Sequence, residues 1–213
     1  MTLIRAIQTG DWAAALSWIM ALAVGITVHE FAHAKFADLA GDPTPRSRGR
    51  VTLNPLAHYD PIGSTMILLF GMGWGKPVPT NPMLYRHPRR DEVRVSLGGI
   101  GANIVVAFLF GMTLRLGIVP EAYEILAGHI VLLNLLLAFF NILPLYPLDG
   151  SHALVSLLPR EAARKVSEFY ERYALGPLVA FVLALNFIPA LGLVIWLPVG
   201  VLMWLFAGQG LTF

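Results

Sequence analysis

Residues 11–38 read DWAAALSWIMALAVGITVHEFAHAKFAD. Seventeen uncharged residues, Trp12 to Val28, form an apolar stretch of the length a helix needs to cross a bilayer. They run straight into His29-Glu30-Phe31-Ala32-His33, an H-E-x-x-H pattern. Residues four apart on a helix lie one turn apart on the same face. His29 and His33 are therefore placed to give one imidazole nitrogen each to a single metal ion. Glu30 stands beside the first ligand without having to bind, which is the position of a general base acting on water at a metal. Ionisable side chains at membrane depth cost on the order of 2.5–3.5 kcal/mol each. Two histidines simply hydrogen-bonded in a core is the competing reading, and it is the weaker one, because three polar groups at that depth need one another or a metal.

Composition agrees with the membrane reading. Only 13% of the chain is charged, against about 25% in soluble domains, and the mean hydropathy is +0.67. The 213 residues suffice for one helix bundle, so a single membrane domain over 1–213 is expected. Cysteine is absent, which removes disulfides, thiol nucleophiles and thiolate metal ligands. The first apolar segment has no basic region before it and no cleavage site after it, and is expected to be retained. Net charge is only +2, and the Lys and Arg residues cluster in loops, which reads as topology and not as nucleic-acid binding. No nucleic-acid partner is expected.

The remaining segments follow from apolar runs and breakers. Gly41-Asp42-Pro43 ends the first helix. Residues 62–75 are short for a spanning helix and predict a re-entrant segment. Residues 95–114, 125–146, 175–187 and 191–206 predict further membrane segments, and 159–173 a basic amphipathic surface helix. The expectation is an all-α polytopic protein, a bundle of about five transmembrane helices plus the re-entrant segment. Nine of the fifteen Lys and Arg fall within 35–94 and four within 147–175, so both stretches are expected to be cytoplasmic.

A catalytic zinc needs a third protein ligand and an open position. Asp38 lies at the helix end, toward the interface. Asp149 is the better candidate, because it lies in a proline-broken stretch, NILPLYPLDG over 141–150, whose exposed backbone would line a polar cavity. Its alternative role is an N-cap for the helix that follows. His152 reads as an interfacial hydrogen-bonding residue, His87 as exposed, and Asn103, His129 and Asn134 as interhelical partners. Asn54 and His58, in NPLAHYD, are candidates to line the site.

Together, H-E-F-A-H on the first helix and NILPLYPLDG resemble the site-2 protease family of intramembrane zinc metalloproteases. GRVTLNPLAHYDPIG and GWGKPVPTNP are similar to its compact branch, which lacks PDZ and CBS domains. The resemblance spans nearly the whole chain. It implies one Zn2+ per chain held by His29, His33 and Asp149, with Glu30 as the catalytic base. It implies a substrate role for Asn141 and for Gly71 and Gly73, the latter pair in a strand that pairs with unwound substrate. The family's A-G-P-x-A-N is here Gly98-Gly99-Ile100-Gly101-Ala102-Asn103, without the proline.

The function expected is cleavage of a membrane-tethered protein within or beside its transmembrane segment, with a regulatory membrane partner as a further expectation. The alternative is a catalytically silent membrane protein with a structural or regulatory zinc site, which would have no use for Glu30. A metal transporter would spread polar residues along a path, whereas here they gather at one depth.

Overall fold

The computed structural model describes residues 3–70 and 74–208, without the side chains of Ser64, of 67–70, of Asn186 and of Pro189. A short helix α1 (Leu3–Thr9) precedes α2 (Trp12–Ala40). Asp11 caps α2 by accepting the Ala14 amide at 3.0 Å, and Gly41 closes it at φ 110°, a left-handed conformation suited to glycine. The short helices α3 (Thr44–Ser47) and α4 (Pro61–Phe70) follow, with a 3-10 turn over Pro55–His58 between them. Then come α5 (Pro88–Arg115), α6 (Glu121–Asn141), α7 (Asp149–Leu157), α8 (Arg160–Tyr173), α9 (Gly176–Phe187) and α10 (Pro189–Ala207).

The molecule is helical as expected, and α2, α5, α6 and α10 are each long and apolar enough to cross a membrane. The apolar helix α9 has only 12 residues. The anticipated strand is not found among the described residues, and the apolar run that was expected to lead into it is the helix α4. Asp60 and Pro61 explain this, since the Asp60 carboxylate accepts the Gly63 amide at 2.7 Å and proline suits a first helical turn. Gly71 and Gly73 lie outside the described residues. α5 begins seven residues before the expected Val95: Pro88 opens it, and Asp91 in its first turn accepts the His87 amide at 2.9 Å. The prolines nearby had disguised this start.

Small residues let the helices approach closely. Ala14, Ala15 and Ala21 of α2 pack with Trp18 against Ile130 and Leu133 of α6 and against Leu3 and Ala6 of α1. Ala107 of α5 joins Val131 and Leu135 of α6 and Ile195 and Val199 of α10. Between α6 and α7 the chain turns through Asn141–Leu148, with a cis Tyr146–Pro147 peptide. A Cβ at Gly150 would lie 2.1 Å from the Ile142 carbonyl oxygen, so only glycine lets α7 start against that turn. α8 is tied to the same turn by the Tyr170 hydroxyl, which donates to the Pro144 carbonyl at 2.9 Å.

Candidate metal centre

Three side chains from two distant parts of the sequence meet between α2, α5 and the start of α7. His29 Nε2 and His33 Nε2 are 3.0 Å apart. Asp149 Oδ2 lies 3.1 Å from the first and 3.2 Å from the second. Zinc bonds of about 2.0–2.1 Å at tetrahedral angles put neighbouring ligand atoms about 3.3 Å apart. The three atoms thus form one face of a tetrahedron of that size. Asp149 is the first residue of α7 and makes no capping hydrogen bond, so its alternative role as an N-cap falls away.

The protons on the rings are assignable. Asn103, fully buried on α5, donates through Nδ2 to the Gly25 carbonyl at 2.9 Å and to Asn134 Oδ1 at 2.8 Å. Its Oδ1 must therefore accept, at 2.7 Å, from His29 Nδ1. His33 Nδ1 donates to the Val95 carbonyl at 2.8 Å. In the neutral form that binds metal, both rings would keep their proton on Nδ1 and leave the Nε2 lone pair toward Asp149, the arrangement usual for metal-binding histidine. Asp149 Oδ2 is buried and has no hydrogen-bond partner among the described residues. With both rings neutral, three lone pairs would converge and repel one another, and a divalent cation would remove that repulsion. The residues fit zinc, which takes histidine and carboxylate with a fourth position open.

The spacing of small residues on α5 is part of the site. A Cβ at Gly99 would lie 2.4 Å from His33 Nε2 and 2.8 Å from His29 Nδ1, and one at Gly98 would lie 2.4 Å from Phe36. Gly98, Gly99 and Asn103 thus bring α5 onto the histidine face of α2. The missing proline of the G-G-I-G-A-N run leaves α5 a continuous helix.

Glu30 is partly buried, and its Oε2 accepts the Val78 amide at 3.2 Å. The extended residues before Val78 press on α2: a Cβ at Gly75 would meet Ile26 at 2.5 Å and Glu30 Cγ at 3.7 Å. Burial lowers the pKa of Arg50, with Glu30 acting in the opposite sense. An apolar groove of about 360 Å³ lies along the outer face of α2, lined by Ile19, Leu22, Ile26, Tyr59, Trp74 and Gly75.

The other predicted residues are distributed more widely. His58 is buried and bonds to the Thr52 carbonyl at 2.9 Å, within its own loop. Asn54 is exposed and caps the 3-10 turn by accepting the Leu56 amide at 3.0 Å. Asn141 donates to the Leu137 carbonyl one turn back at 3.0 Å. Asp38 pairs with Arg46 at 2.6 Å and not with the metal ligands. His152 points to Glu92, with Nδ1 4.0 Å from Oε1, beside a cavity of about 530 Å³ between α5, α7 and α8 that Ser151 and Tyr170 also line. His129 bonds to Ser17 at 2.6 Å, linking α6 to α2 as an interhelical partner should. Asn103 bonds between helices as expected, through Gly25 and Asn134, but its hold on His29 was missed, as were the roles of Gly99 and Arg50. The signal for Asn103 and Gly99 was their spacing of four on one helix, which places both on the same face.

The family model of peptidase family M50 matches residues 121–185. The Bacillus subtilis (strain 168) protein "Putative zinc metalloprotease YwhC" is 38% identical over 160 residues, covering 70% of this chain and 73% of the relative. The Mycobacterium tuberculosis (strain ATCC 25618 / H37Rv) protein "Putative zinc metalloprotease Rip2" is 31% identical over 198 residues, covering 89% of this chain and 72% of the relative. No solved structure matches. The chain belongs to peptidase family M50, the site-2 protease family of membrane zinc metalloproteases.

Proposed function

We propose that this protein is an intramembrane zinc endopeptidase that cuts membrane-tethered proteins within or beside their transmembrane segment, as a step in regulated intramembrane proteolysis. Zinc, one per chain, is held by His29, His33 and Asp149, and Glu30 is the general base. The observation that carries the reading is the convergence of three lone pairs about 3 Å apart, with a carboxylate on the neighbouring residue of a membrane-spanning helix.

Bound there, zinc supplies a Lewis acid that makes water acidic and polarises a peptide carbonyl. Glu30 accepts the proton of the attacking water and delivers it to the leaving amine. The Val78 amide holds one carboxylate oxygen and so fixes which way the group faces. Asn103 and the Val95 carbonyl hold the two imidazoles in the tautomer that leaves Nε2 for the metal. The cavity beside Ser151 and Glu92 brings water toward α7, and the groove along α2 receives the substrate's unwound, extended segment. Unwinding is required because a helix hides its peptide bonds in its own hydrogen bonds. The basic loops 35–94 and 147–175 face the cytoplasm.

The test is co-expression of wild type and Glu30→Gln with single-span membrane proteins carrying an N-terminal tag, followed by mass spectrometry of the tagged fragments. The expected result is fragments ending within or beside the span with wild type alone. Equal fragments with Glu30→Gln would overturn the assignment.

A further inference from the structure

Arg50 is a cation that is buried without a carboxylate to meet it. Only 5% of it is exposed, and among the described residues it forms no ion pair. One guanidinium nitrogen donates to the Ala57 carbonyl, and the other to the carbonyls of Lys76 and Pro77. Its Nε is buried without a partner. Taking a guanidinium out of water is costly unless the surroundings compensate, so this placement calls for a reason beyond closing a loop. The acid whose charge acts on it is Glu30.

The bonds lead to Glu30 as well. Arg50 grips the carbonyls of Lys76 and Pro77, and the next residue, Val78, donates its amide to Glu30 Oε2. On the other branch Arg50 grips Ala57, next to His58, whose carbonyl accepts the Lys76 amide at 2.8 Å. One side chain thus ties the 3-10 turn to the extended segment and presses that segment onto α2, where Gly75 makes room against Ile26 and Glu30.

We propose that Arg50 is a positioning residue for Glu30: it fixes Trp74–Val78 so that the Val78 amide holds one oxygen of the Glu30 carboxylate and the other serves the attacking water. The inference rests on the reading of Glu30 as the base. A methionine at position 50 fills much of the space but holds no carbonyl, and a lysine keeps the charge but loses the fork that spans three acceptors.

Hydrogen exchange of the zinc-loaded full chain in detergent, followed by mass spectrometry of peptides over 74–80, reads the clamp directly. The expected result is that Arg50→Met speeds exchange at Lys76 and Val78 by about tenfold, with about one zinc per chain retained, and that Arg50→Lys gives an intermediate effect. Wild-type protection in both variants overturns the proposal. Should Arg50→Met not fold, Arg50→Lys decides alone, since loss of the fork must still loosen these amides.

Kinetics with fluorescein-labelled casein separate positioning from mere loop support. Arg50→Met is expected to lower kcat with KM within about twofold, because the interaction is made toward the transition state. The double variant with Glu30→Gln should be no slower than Glu30→Gln alone, since residues acting as a unit are not additive. Additive losses overturn the proposal. An active Glu30→Gln sinks the base assignment instead, and leaves the exchange result standing on its own.

Discussion

Asn103 Oδ1 lies 2.7 Å from His29 Nδ1, and the contact has only one polarity, because Asn103 Nδ2 is already committed to Gly25 and Asn134. It fixes the tautomer of a side chain 74 residues earlier. Asn103→Ala should therefore weaken zinc binding by about 10–100-fold, the usual effect of losing a second-sphere partner. Competition with a fluorescent chelator measures it. Unchanged affinity would mean that Asn103 serves helix packing alone.

Glu30→Gln separates chemistry from structure. The amide keeps the shape but cannot take a proton from water, so activity should fall by about 10²–10⁴. Zinc content should stay at wild-type level, because Glu30 lies outside the group of three metal-facing atoms. Activity assay and metal analysis on the same preparation check both halves.

Two neighbouring glycines give a steric test with its own control. Gly99→Ala puts a methyl group 2.4 Å from His33 Nε2 and should abolish zinc retention. Gly101→Ala meets nothing within 4 Å and should leave zinc untouched. Since alanine is the better helix former by about 1 kcal/mol, Gly101→Ala should be at least as stable as wild type. Metal analysis and thermal unfolding of the pair report the contrast.

Asp149→Ala removes the ligand contributed by α7 and should cost most of the bound zinc. Equilibrium dialysis with radioactive zinc measures the loss. Full retention would remove Asp149 from the ligand set.

The proposed topology is open to labelling. Single cysteines at Ser47, Arg89 and Glu168 should react from the cytoplasmic side and one at Glu121 from the other, the chain having no cysteine of its own. Opposite labelling of Ser47 and Arg89 would place residues 62–75 across the membrane.

Much of this architecture was legible in the order of residues, because a bilayer demands long apolar runs and punishes stray charge. His29, Glu30 and His33 stood out for that reason, and Asp149 as a carboxylate in a broken membrane segment. Short-range competition was harder to read. Asp60 and Pro61 start a helix where the run length suggested a dipping strand, and Pro88 opens α5 amid prolines that look like a loop. Asn54 resembles a site residue in composition, but its side chain is spent on the backbone two residues on. Arg50 was invisible for a different reason: its three acceptors are backbone carbonyls, which any sequence supplies.

α7 rests chiefly on α5 and α8 and scarcely touches α2, yet its first residue faces both histidines of α2. An ion held by these three side chains would therefore fasten together two helices encoded far apart. On the proposed reading α2 by itself would carry an incomplete set of ligands, and the site would be whole only once α7 had docked.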